Sequence, residues 1–276
     1  MQAWPNVGDF RGGALGVAGE DPAPAVALRG LHKAFGATVA VDRLDLDVPA
    51  GSFFGLVGPN GAGKTTTLRM ATGLLRPDGG RVWIDGIDVW ADPVEAKRRI
   101  GVLPEDLPLF DRLTGRQLLT CTGLLRGLPA DVVAERTGAL LAALGLAEAA
   151  GTMVVDYSQG MRKKVGLAAS LLHAPRVLFL DEPFESVDPV SARTLRGVLE
   201  RHLTGGGTVV FSSHVMELVE RLCDRVAIVH RGRLVAHGPT DHIRGGRSLE
   251  DVFVDAVGGQ AAGTEEGLEW LGTSSG

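Results

Sequence analysis

The sequence predicts an α/β fold with a mixed or parallel sheet core, an N-terminal antiparallel β portion and an α-helical subdomain. Alternating apolar residues mark the first ordered segment, and helical spacing takes over after about residue 106. Two continuous apolar runs, VLFL at 177–180 and TVVFS at 208–212, then alternate with helical segments. Continuous apolar runs of this kind are typical of parallel strands that are buried on both faces.

The first part of the chain is expected to be rich in β-strands, with one early helix that begins near Lys64. An Asp85-Gly86 turn should end one of these strands. The expected strands are AVALRGLHKAF from residue 25, LDLDV at 44–48, SFFGLV at 52–57, RVWI at 81–84 and IGVL at 100–103.

The middle of the chain changes to helical periodicity, which predicts a helical lobe at 106–157. A further helix follows it, and SLEDVFVDAV at 248–257 predicts a short closing helix. The apolar residues at helical spacing that predict these three helices are Val133, Leu140, Leu141 and Leu144, then Met161, Val165, Ala168 and Leu172, and finally Leu249, Val252 and Phe253.

Length and composition favour one globular unit with loose ends. The 276 residues are 45% hydrophobic and 22% charged, which excludes wholesale disorder. We expect a flexible leader at 1–24, an ordered domain at 25–240 with its helical subdomain at about 106–165, and a short helix with a flexible acidic tail at 241–276. The 39 glycines exceed the ordinary share and suggest that some loops are built from glycine for a reason.

Charge and cysteine content exclude several classes of protein. A net charge of −5 argues against a dedicated nucleic-acid binder, and two distant cysteines indicate neither a disulfide framework nor a zinc site. The longest uncharged stretch, Pro49 to Gly63, is too short to cross a bilayer, which needs about 20 apolar residues. No signal peptide is recognisable, so we expect a cytosolic chain.

A phosphate-binding loop is the most specific motif in the sequence. It matches the pattern G-x-x-x-x-G-K-[ST], follows an apolar strand and leads into a helix, as a P-loop NTPase requires. Glycines let backbone N–H groups converge on phosphate oxygens, while Lys64 should contact the β- and γ-phosphates of a nucleotide and Thr65 should ligate Mg²⁺. The loop residues are Gly58, Pro59, Asn60, Gly61, Ala62, Gly63, Lys64 and Thr65.

Two adjacent carboxylates, Asp181 and Glu182, end the apolar run VLFL. An isolated pair of this kind usually caps an element or faces solvent. Because this pair follows a P-loop with βα units between them, we interpret Asp181 as a Mg²⁺ ligand and Glu182 as a general base for an attacking water.

His214 follows the second apolar run, TVVFS. A lone histidine is usually structural. Its place after a parallel strand, where ligands bind in such sheets, favours a functional role.

The turn Tyr157-Ser158-Gln159-Gly160-Met161 begins a predicted helix. Ser158 could simply cap that helix, or the helix terminus could bind an anion. Sequence order makes it unfavourable for one chain to bring this terminus and the P-loop to the same phosphate, so the second possibility requires a partner subunit. For the basic run Arg162, Lys163 and Lys164, a solvated helix face is favoured over a contact with phosphate or a partner.

Together these motifs resemble the ATP-binding cassette ATPases, the nucleotide-binding subunits of ABC transporters, from about Ala25 to Gly238. The matching motifs are GPNGAGKTT at 58–66, which includes Thr66 and looks like Walker A, YSQGM at 157–161 like the signature motif, LFLDEP at 178–183 like Walker B, SVDP at 186–189 like the D-loop, and His214 like the switch histidine. The resemblance implies a dimer in which ATP and Mg²⁺ lie between Walker A of one subunit and the signature turn of the other. It therefore implies that Ser158, Gly160 and Asp188 belong to the nucleotide site.

The same resemblance suggests roles for two further residues. Phe35, in HKAFG, would stack on adenine, although an aromatic core residue is an equally good interpretation. Glu105 lies where the family usually has the Q-loop glutamine and could still ligate Mg²⁺. A glutamate there resembles the cassettes that pair with ABC-2 type exporter permeases.

The expected function is ATP hydrolysis by the nucleotide-binding subunit of an ABC exporter. By the resemblance, the partners are a second ATPase subunit, in a homodimer or heterodimer, and a separate multispanning permease that would hold the chain on the inner face of the cell membrane. One alternative is a soluble cassette ATPase that acts on ribosomes or DNA. The net charge of −5 and the absence of a long insertion or basic extension disfavour it, and we expect no nucleic-acid partner. A purely regulatory nucleotide-binding module is disfavoured by Glu182 and His214.

Overall fold

A computed structural model describes residues 24–257 of the chain. The predicted leader, except for Pro24, and the predicted tail from residue 258 onward lie outside the described residues. The strands are β1 (Pro24–Phe35), β2 (Thr38–Pro49), β3 (Phe53–Val57), β4 (Gly79–Ile84), β5 (Ile87–Asp88), β6 (Ile100–Leu103), β7 (Val177–Asp181), β8 (Thr208–Ser213), β9 (Arg225–His230) and β10 (Arg233–Pro239).

Helices fill the segments between most of these strands, and a single 3₁₀ turn spans Val154–Asp156. The α-helices are α1 (Lys64–Ala71), α2 (Pro93–Arg99), α3 (Gly115–Leu125), α4 (Ala130–Ala143), α5 (Gln159–Leu171), α6 (Pro189–Thr204), α7 (Met216–Leu222), α8 (Thr240–Arg244) and α9 (Leu249–Ala256).

The strands form two sheets. The order in the larger sheet is β10-β9-β3-β8-β7-β6. Its strands pair in parallel except β10, which pairs antiparallel with β9. The smaller sheet, β2-β1-β4-β5, is antiparallel throughout. The predicted fold class, a mixed α/β core with an N-terminal antiparallel portion, is confirmed.

The larger sheet separates two hydrophobic cores, because successive side chains of a strand point to opposite faces. In β3, Phe53 and Val57 enter the core that the sheet forms with helices α3 to α6. Phe54 and Leu56 enter the core that lies toward α1 and the smaller sheet. Burial on both faces is the physical reason why the central strands are continuous apolar runs in the sequence.

Helices α3, α4 and α5 pack against one another, as the predicted helical lobe requires. Of the four apolar residues on which the lobe was predicted, Val133, Leu141 and Leu144 are buried and Leu140 is half-buried, which agrees with the predicted helical spacing. The closing helix α9 is also present and buries Leu249 completely. Among residues 24–257, no helix combines the length and the hydrophobicity needed to cross a bilayer.

Candidate functional site

Three neighbouring parallel strands bring the predicted site residues to one edge of the larger sheet. Strands β3, β8 and β7 lie side by side, and their carboxyl ends meet at that edge. The P-loop follows β3, Asp181 ends β7, and His214 follows β8. This is the position at which open parallel sheets bind their ligands.

A cleft of about 410 Å³ opens at this edge. It brings together most of the predicted nucleotide-site residues and adds two that the sequence analysis did not single out, Ala40 and Glu185. The lining residues are Phe35, Ala40, Asn60, Gly61, Ala62, Gly63, Lys64, Thr65, Thr66, Glu105, Glu182, Glu185 and His214.

The P-loop backbone follows a path that side chains would obstruct. A Cβ atom at Gly58 would lie 2.1 Å from the carbonyl oxygen of Val229, and one at Gly63 would lie 2.4 Å from that of Ala40. Gly63 also has a φ of 103°, a conformation that favours glycine. No side chain caps the start of α1, so the N–H groups of its first turn remain available to an anion.

Lys64 is the cation at the centre of the cleft and is only 6% exposed. Its Nζ donates hydrogen bonds to the carbonyl oxygens of Gly58, at 2.8 Å, and Pro59, at 3.3 Å. The same Nζ lies 3.6 Å from Oε1 of Glu182. The lysine is therefore held inside the loop that should receive the phosphates.

Asp181 and Thr65 form an oxygen-donor pair beside the P-loop. The Thr65 hydroxyl donates to Oδ1 of Asp181 at 3.2 Å, and the Ser212 hydroxyl donates to the same oxygen at 2.5 Å. Hydroxyl and carboxylate oxygens are the ligands that Mg²⁺ prefers. In the described part of the chain, no three acidic, histidine or cysteine side chains cluster closely enough to hold a metal ion. A Mg²⁺ ion here would therefore need phosphate and water oxygens as well.

Glu182 lies between two nitrogen donors. Nδ1 of His214 is 3.1 Å from its Oε1, and Nζ of Lys64 is 3.6 Å from the same oxygen. Burial raises the pKa of the Glu182 carboxyl, while the hydrogen bond with His214 and the charge of Lys64 act in the opposite direction. The carboxylate is thus more basic than an exposed glutamate, which suits a proton acceptor.

The backbone of Glu182 is strained and is held on both sides. Its φ of 46° lies in the left-handed region, which costs a residue other than glycine about 1–3 kcal/mol. Its N–H donates to the Ser212 hydroxyl at 3.0 Å, and its carbonyl accepts from Nζ of Lys163, also at 3.0 Å. The surrounding contacts therefore fix the direction in which the carboxylate points.

The expectation of a solvated helix face for the basic run in α5 is wrong for two of its three residues. Lys163 is 5% exposed and Lys164 is 9% exposed, whereas Arg162 reaches Asp111 near the surface. The burial arises because α5 lies between the sheet edge and the neighbouring helices, so that most of its circumference is covered. Burial lowers the pKa of Lys163, although nearby carboxylates oppose that shift.

Phe35 is not a core residue, because 52% of its side chain is exposed at the mouth of the cleft. Nζ of Lys33 lies 5.6 Å from the centroid of its ring. The alternative that Phe35 belongs to the hydrophobic core is therefore excluded, and an exposed π face is left beside the P-loop.

The signature-like turn lies outside the cleft lining. Ser158 caps α5 by accepting a hydrogen bond from the N–H of Met161, as the simpler interpretation predicted. Asp188 caps α6 through the N–H groups of Val190 and Ser191. Gly160 lies between these two helix starts, where a Cβ atom would be 3.2 Å from Oδ2 of Asp188.

Besides Ala40, three residues around the site were not recognised as such from the sequence: Glu185, Lys163 and Ser212. Helical spacing held a signal for Lys163, since it shares a face with the buried Gly160 and Leu167. Glu185 and Ser212 gave no comparable signal. Their positions depend on the turn after β7 and on the register between β7 and β8, which pairs Asp181 with Ser212.

Comparison with protein families identifies the cassette directly. A family model described as ABC transporter matches residues 41–185 of the chain, which include the P-loop, the signature-like turn and Asp181–Glu182.

Individual relatives support the same conclusion. The daunorubicin/doxorubicin resistance ATP-binding protein of Streptomyces peucetius is 39% identical over 223 residues, which cover 81% of this chain and 68% of the relative. The linearmycin resistance ATP-binding protein of Bacillus subtilis is 35% identical over 208 residues, 75% of this chain and 67% of the relative. The Nod factor export ATP-binding protein I of Ralstonia nicotianae is 38% identical over 215 residues, 78% of this chain and 67% of the relative.

One solved structure shares the fold closely. It is titled as the structure of an ATP binding subunit of an ABC transporter, and it aligns with a TM-score of 0.79 at 28% identity. The alignment covers 84% of this chain and 99% of the other.

Proposed function

The chain belongs to the ABC transporter family, and from this membership we propose that it is the ATP-hydrolysing, nucleotide-binding subunit of an ABC-2 type exporter. One observation carries the proposal. Lys64, Thr65, Glu182 and His214 come from three different chain segments and line one cleft beside an uncapped helix start, and Asp181 accepts a hydrogen bond from Thr65 next to it.

The P-loop binds the phosphates of ATP in this proposal. The N–H groups at the start of α1 surround the phosphate oxygens, and Lys64 moves from its carbonyl partners to the β- and γ-phosphates. Phe35 offers its exposed ring to the adenine at the mouth of the cleft.

Thr65, Asp181 and Glu105 are the proposed protein ligands of Mg²⁺. The hydrogen bond between Thr65 and Asp181 supports the assignment, because it places two hard oxygen donors side by side, and Glu105 lines the same cleft. When bound, Mg²⁺ would neutralise charge that develops on the phosphates during transfer. Ser212 holds the Asp181 carboxylate in place through its hydroxyl.

Glu182 is the proposed general base. Its raised pKa, its direction into the cleft and its fixed backbone suit a carboxylate that accepts a proton from the attacking water. His214 donates its Nδ1 proton to Glu182 and so orients the carboxylate.

The signature-like turn is proposed to act on a second subunit. Ser158, Gly160 and Asp188 do not line the cleft that contains the P-loop of their own chain, which supports a site completed by a partner. The N-terminal end of α5, which begins directly after Ser158, would then meet the phosphate that the partner holds. We propose a head-to-tail dimer, which could be a homodimer or a heterodimer.

A separate multispanning permease is the proposed membrane partner, and it would hold the chain at the inner face of the cell membrane. Relatives that are named for drug resistance and for Nod factor export support the exporter assignment. Action on ribosomes or DNA is less favoured, because the net charge is −5 and the relatives named above carry names of resistance or export. We place the ATPase domain at 25–240, with the helical subdomain at about 106–165.

The central test is Glu182→Gln in the full chain. The variant should lose ATP turnover but form a dimer that ATP stabilises, which size-exclusion chromatography with light scattering would detect. His173→Gln, a change at a residue that does not line the cleft, is the control and should turn over like the wild type. Wild-type turnover in Glu182→Gln would contradict the base assignment.

A second experiment tests the partner. The tagged full chain is recovered from solubilised membranes, and the co-purifying proteins are identified by mass spectrometry. A multispanning protein retained in stoichiometric amount supports the exporter assignment. Recovery with ribosomes or DNA alone would refute it.

A further inference from the structure

Lys163 is a buried cation that the mechanism above does not use. It lies in the second turn of α5 and is 5% exposed. We propose that Lys163 is a positioning residue for Glu182, which it holds through the backbone carbonyl, so that the orientation of the base depends on the position of α5. This inference rests on the assignment of Glu182 as the base.

The hydrogen bonds of Glu182 show what Lys163 contributes. Ser212 holds the N–H of Glu182 from β8, and His214 holds its carboxylate from the segment after β8. Lys163 holds the carbonyl from α5, at 3.0 Å. Each contact restrains a different group of one residue in the left-handed conformation, and only that of Lys163 comes from the signature helix.

The charges around Lys163 explain why a lysine is stable in this place. The carboxylates of Glu185, Glu105, Asp181 and Glu182 act on its ammonium group, and they come from two chain segments, one after β6 and one at the end of β7. Among residues 24–257, however, none of these carboxylates lies within ion-pair distance of Nζ. The four carboxylates together therefore stabilise the charged form of Lys163, while the hydrogen bond to the Glu182 carbonyl sets the direction of its side chain.

The position of Lys163 along α5 gives this contact a functional meaning. Helix α5 starts at Gln159, directly after the signature-like turn, and Lys163 lies about one turn further on. A shift of this helix end moves Lys163 with it, and the carbonyl of Glu182 must follow or lose its donor. The contact thus links the start of α5, which is proposed to meet the partner's nucleotide, with Glu182, the proposed general base in the cleft of the same chain.

The experiment compares three substitutions in the purified full-length chain, assayed for Mg²⁺-dependent ATP hydrolysis. Lys163→Met removes the charge and the donor but keeps an unbranched side chain that is only one atom shorter. Lys163→Arg keeps both the charge and the donor. Arg162→Met is the matched control, because it removes a neighbouring cation of the same helix that bonds to the carbonyl of Val154 instead of that of Glu182.

We expect Lys163→Met to lower kcat by about 10- to 100-fold and to leave KM for ATP within about twofold, since Lys163 does not line the nucleotide cleft. Lys163→Arg should restore kcat to within about threefold of the wild type. Arg162→Met should keep kcat within about twofold. Circular dichroism and thermal unfolding establish that each variant is folded.

Several results would overturn the proposal. A folded Lys163→Met variant with wild-type kcat would do so. A Lys163→Met variant in which KM for ATP rises by the same factor as kcat falls would also do so. A folded Lys163→Arg variant as slow as Lys163→Met would also overturn it. If Lys163→Met does not fold, Lys163→Gln replaces it and is judged by the same criteria, because its amide is one atom too short to reach the carbonyl.

Glu182→Gln is assayed in parallel to separate the two levels of inference. If it retains wild-type turnover, the base assignment fails and the positioning role fails with it. If Glu182→Gln is inactive but Lys163→Met is fully active, only the positioning role fails.

Discussion

Nζ of Lys64 lies 3.6 Å from Oε1 of Glu182, and both side chains are more than nine-tenths buried. The P-loop lysine is therefore paired with the proposed base across the space in which the terminal phosphate of ATP should lie. A buried ion pair of this kind offsets part of the cost of removing both charges from water. Binding of ATP must separate the pair, since Lys64 is the expected partner of the phosphates.

The first prediction concerns nucleotide affinity. Glu182→Gln should bind ATP about tenfold more tightly than the wild type, because the change frees Lys64 and removes a negative charge that faces the γ-phosphate. The Kd for ADP, which lacks that phosphate, should change by less than about threefold. Isothermal titration calorimetry in the presence of Mg²⁺, with a non-hydrolysable ATP analogue in one titration and ADP in another, would measure the two Kd values. Equal changes for the two nucleotides would contradict the proposed geometry.

The second prediction concerns the metal ion. Asp181→Asn should raise the Mg²⁺ concentration for half-maximal ATPase activity by at least about tenfold, since it replaces a buried carboxylate beside Thr65 with a neutral amide. Glu105→Gln is the comparison, and its half-maximal concentration should stay within about threefold, because Glu105 is exposed and water already screens its charge. Magnesium titrations at saturating ATP would measure both. An Asp181→Asn variant with unchanged Mg²⁺ dependence would remove Asp181 from the ligand set.

Much of the fold was predictable because its signals are local. Strand β7 has five buried positions, of which the first four form a continuous apolar run, and α1 begins at Lys64 as the P-loop motif requires. The convergence of the P-loop, Asp181 and His214 also followed from the sequence, since parallel strands place their carboxyl ends at one edge. Each of these inferences needs only a short stretch of chain and the rule that connects it to its neighbours.

What could not be predicted depends on contacts between distant segments. A basic run in a helix is usually solvated. Nothing local to Lys163 shows that its ammonium group will donate a hydrogen bond to the carbonyl of Glu182, 19 positions away. The same holds for Ser212, whose hydroxyl bonds to Asp181 across 31 positions. Phe35 remained ambiguous for the same reason, because its exposure depends on how β1 meets the P-loop.

The third prediction contrasts two glycines. Gly63→Ala should lower the free energy of unfolding by about 1–3 kcal/mol and weaken ATP binding, because alanine is strained at a φ of 103° and its Cβ would lie 2.4 Å from the Ala40 carbonyl. Gly138→Ala, within α4 and with open space around its Cβ, should raise the free energy of unfolding by about 0.5–1 kcal/mol. Urea unfolding and nucleotide titration would measure both. A Gly138→Ala variant with a lower free energy of unfolding would show that a Cβ atom is not accommodated at this helix position.

The pH dependence of stability should include a contribution from His173, which is packed between α5 and β6. Its Nε2 lies 2.8 Å from the Ile100 carbonyl and 3.1 Å from Nη1 of Arg126, and its buried Nδ1 has no partner among the described residues. Burial, together with the charge of Arg126, lowers the pKa of His173 to about 4. The protonated ring would carry a buried donor at Nδ1 without an acceptor, and its positive charge would lie close to Arg126.

The fourth prediction follows from that difference between folded and unfolded states. The unfolded histidine takes up a proton near pH 6.5, whereas the folded one resists until about pH 4, so this residue lowers stability progressively as the pH falls between those values. The wild type should therefore lose more unfolding free energy between pH 7 and pH 5 than His173→Gln does. His242→Gln, which changes an exposed histidine in α8, should lose as much as the wild type. Urea titrations at both pH values would measure the three losses, and equal losses for all three proteins would show that His173 is protonated as readily in the folded chain as in the unfolded one.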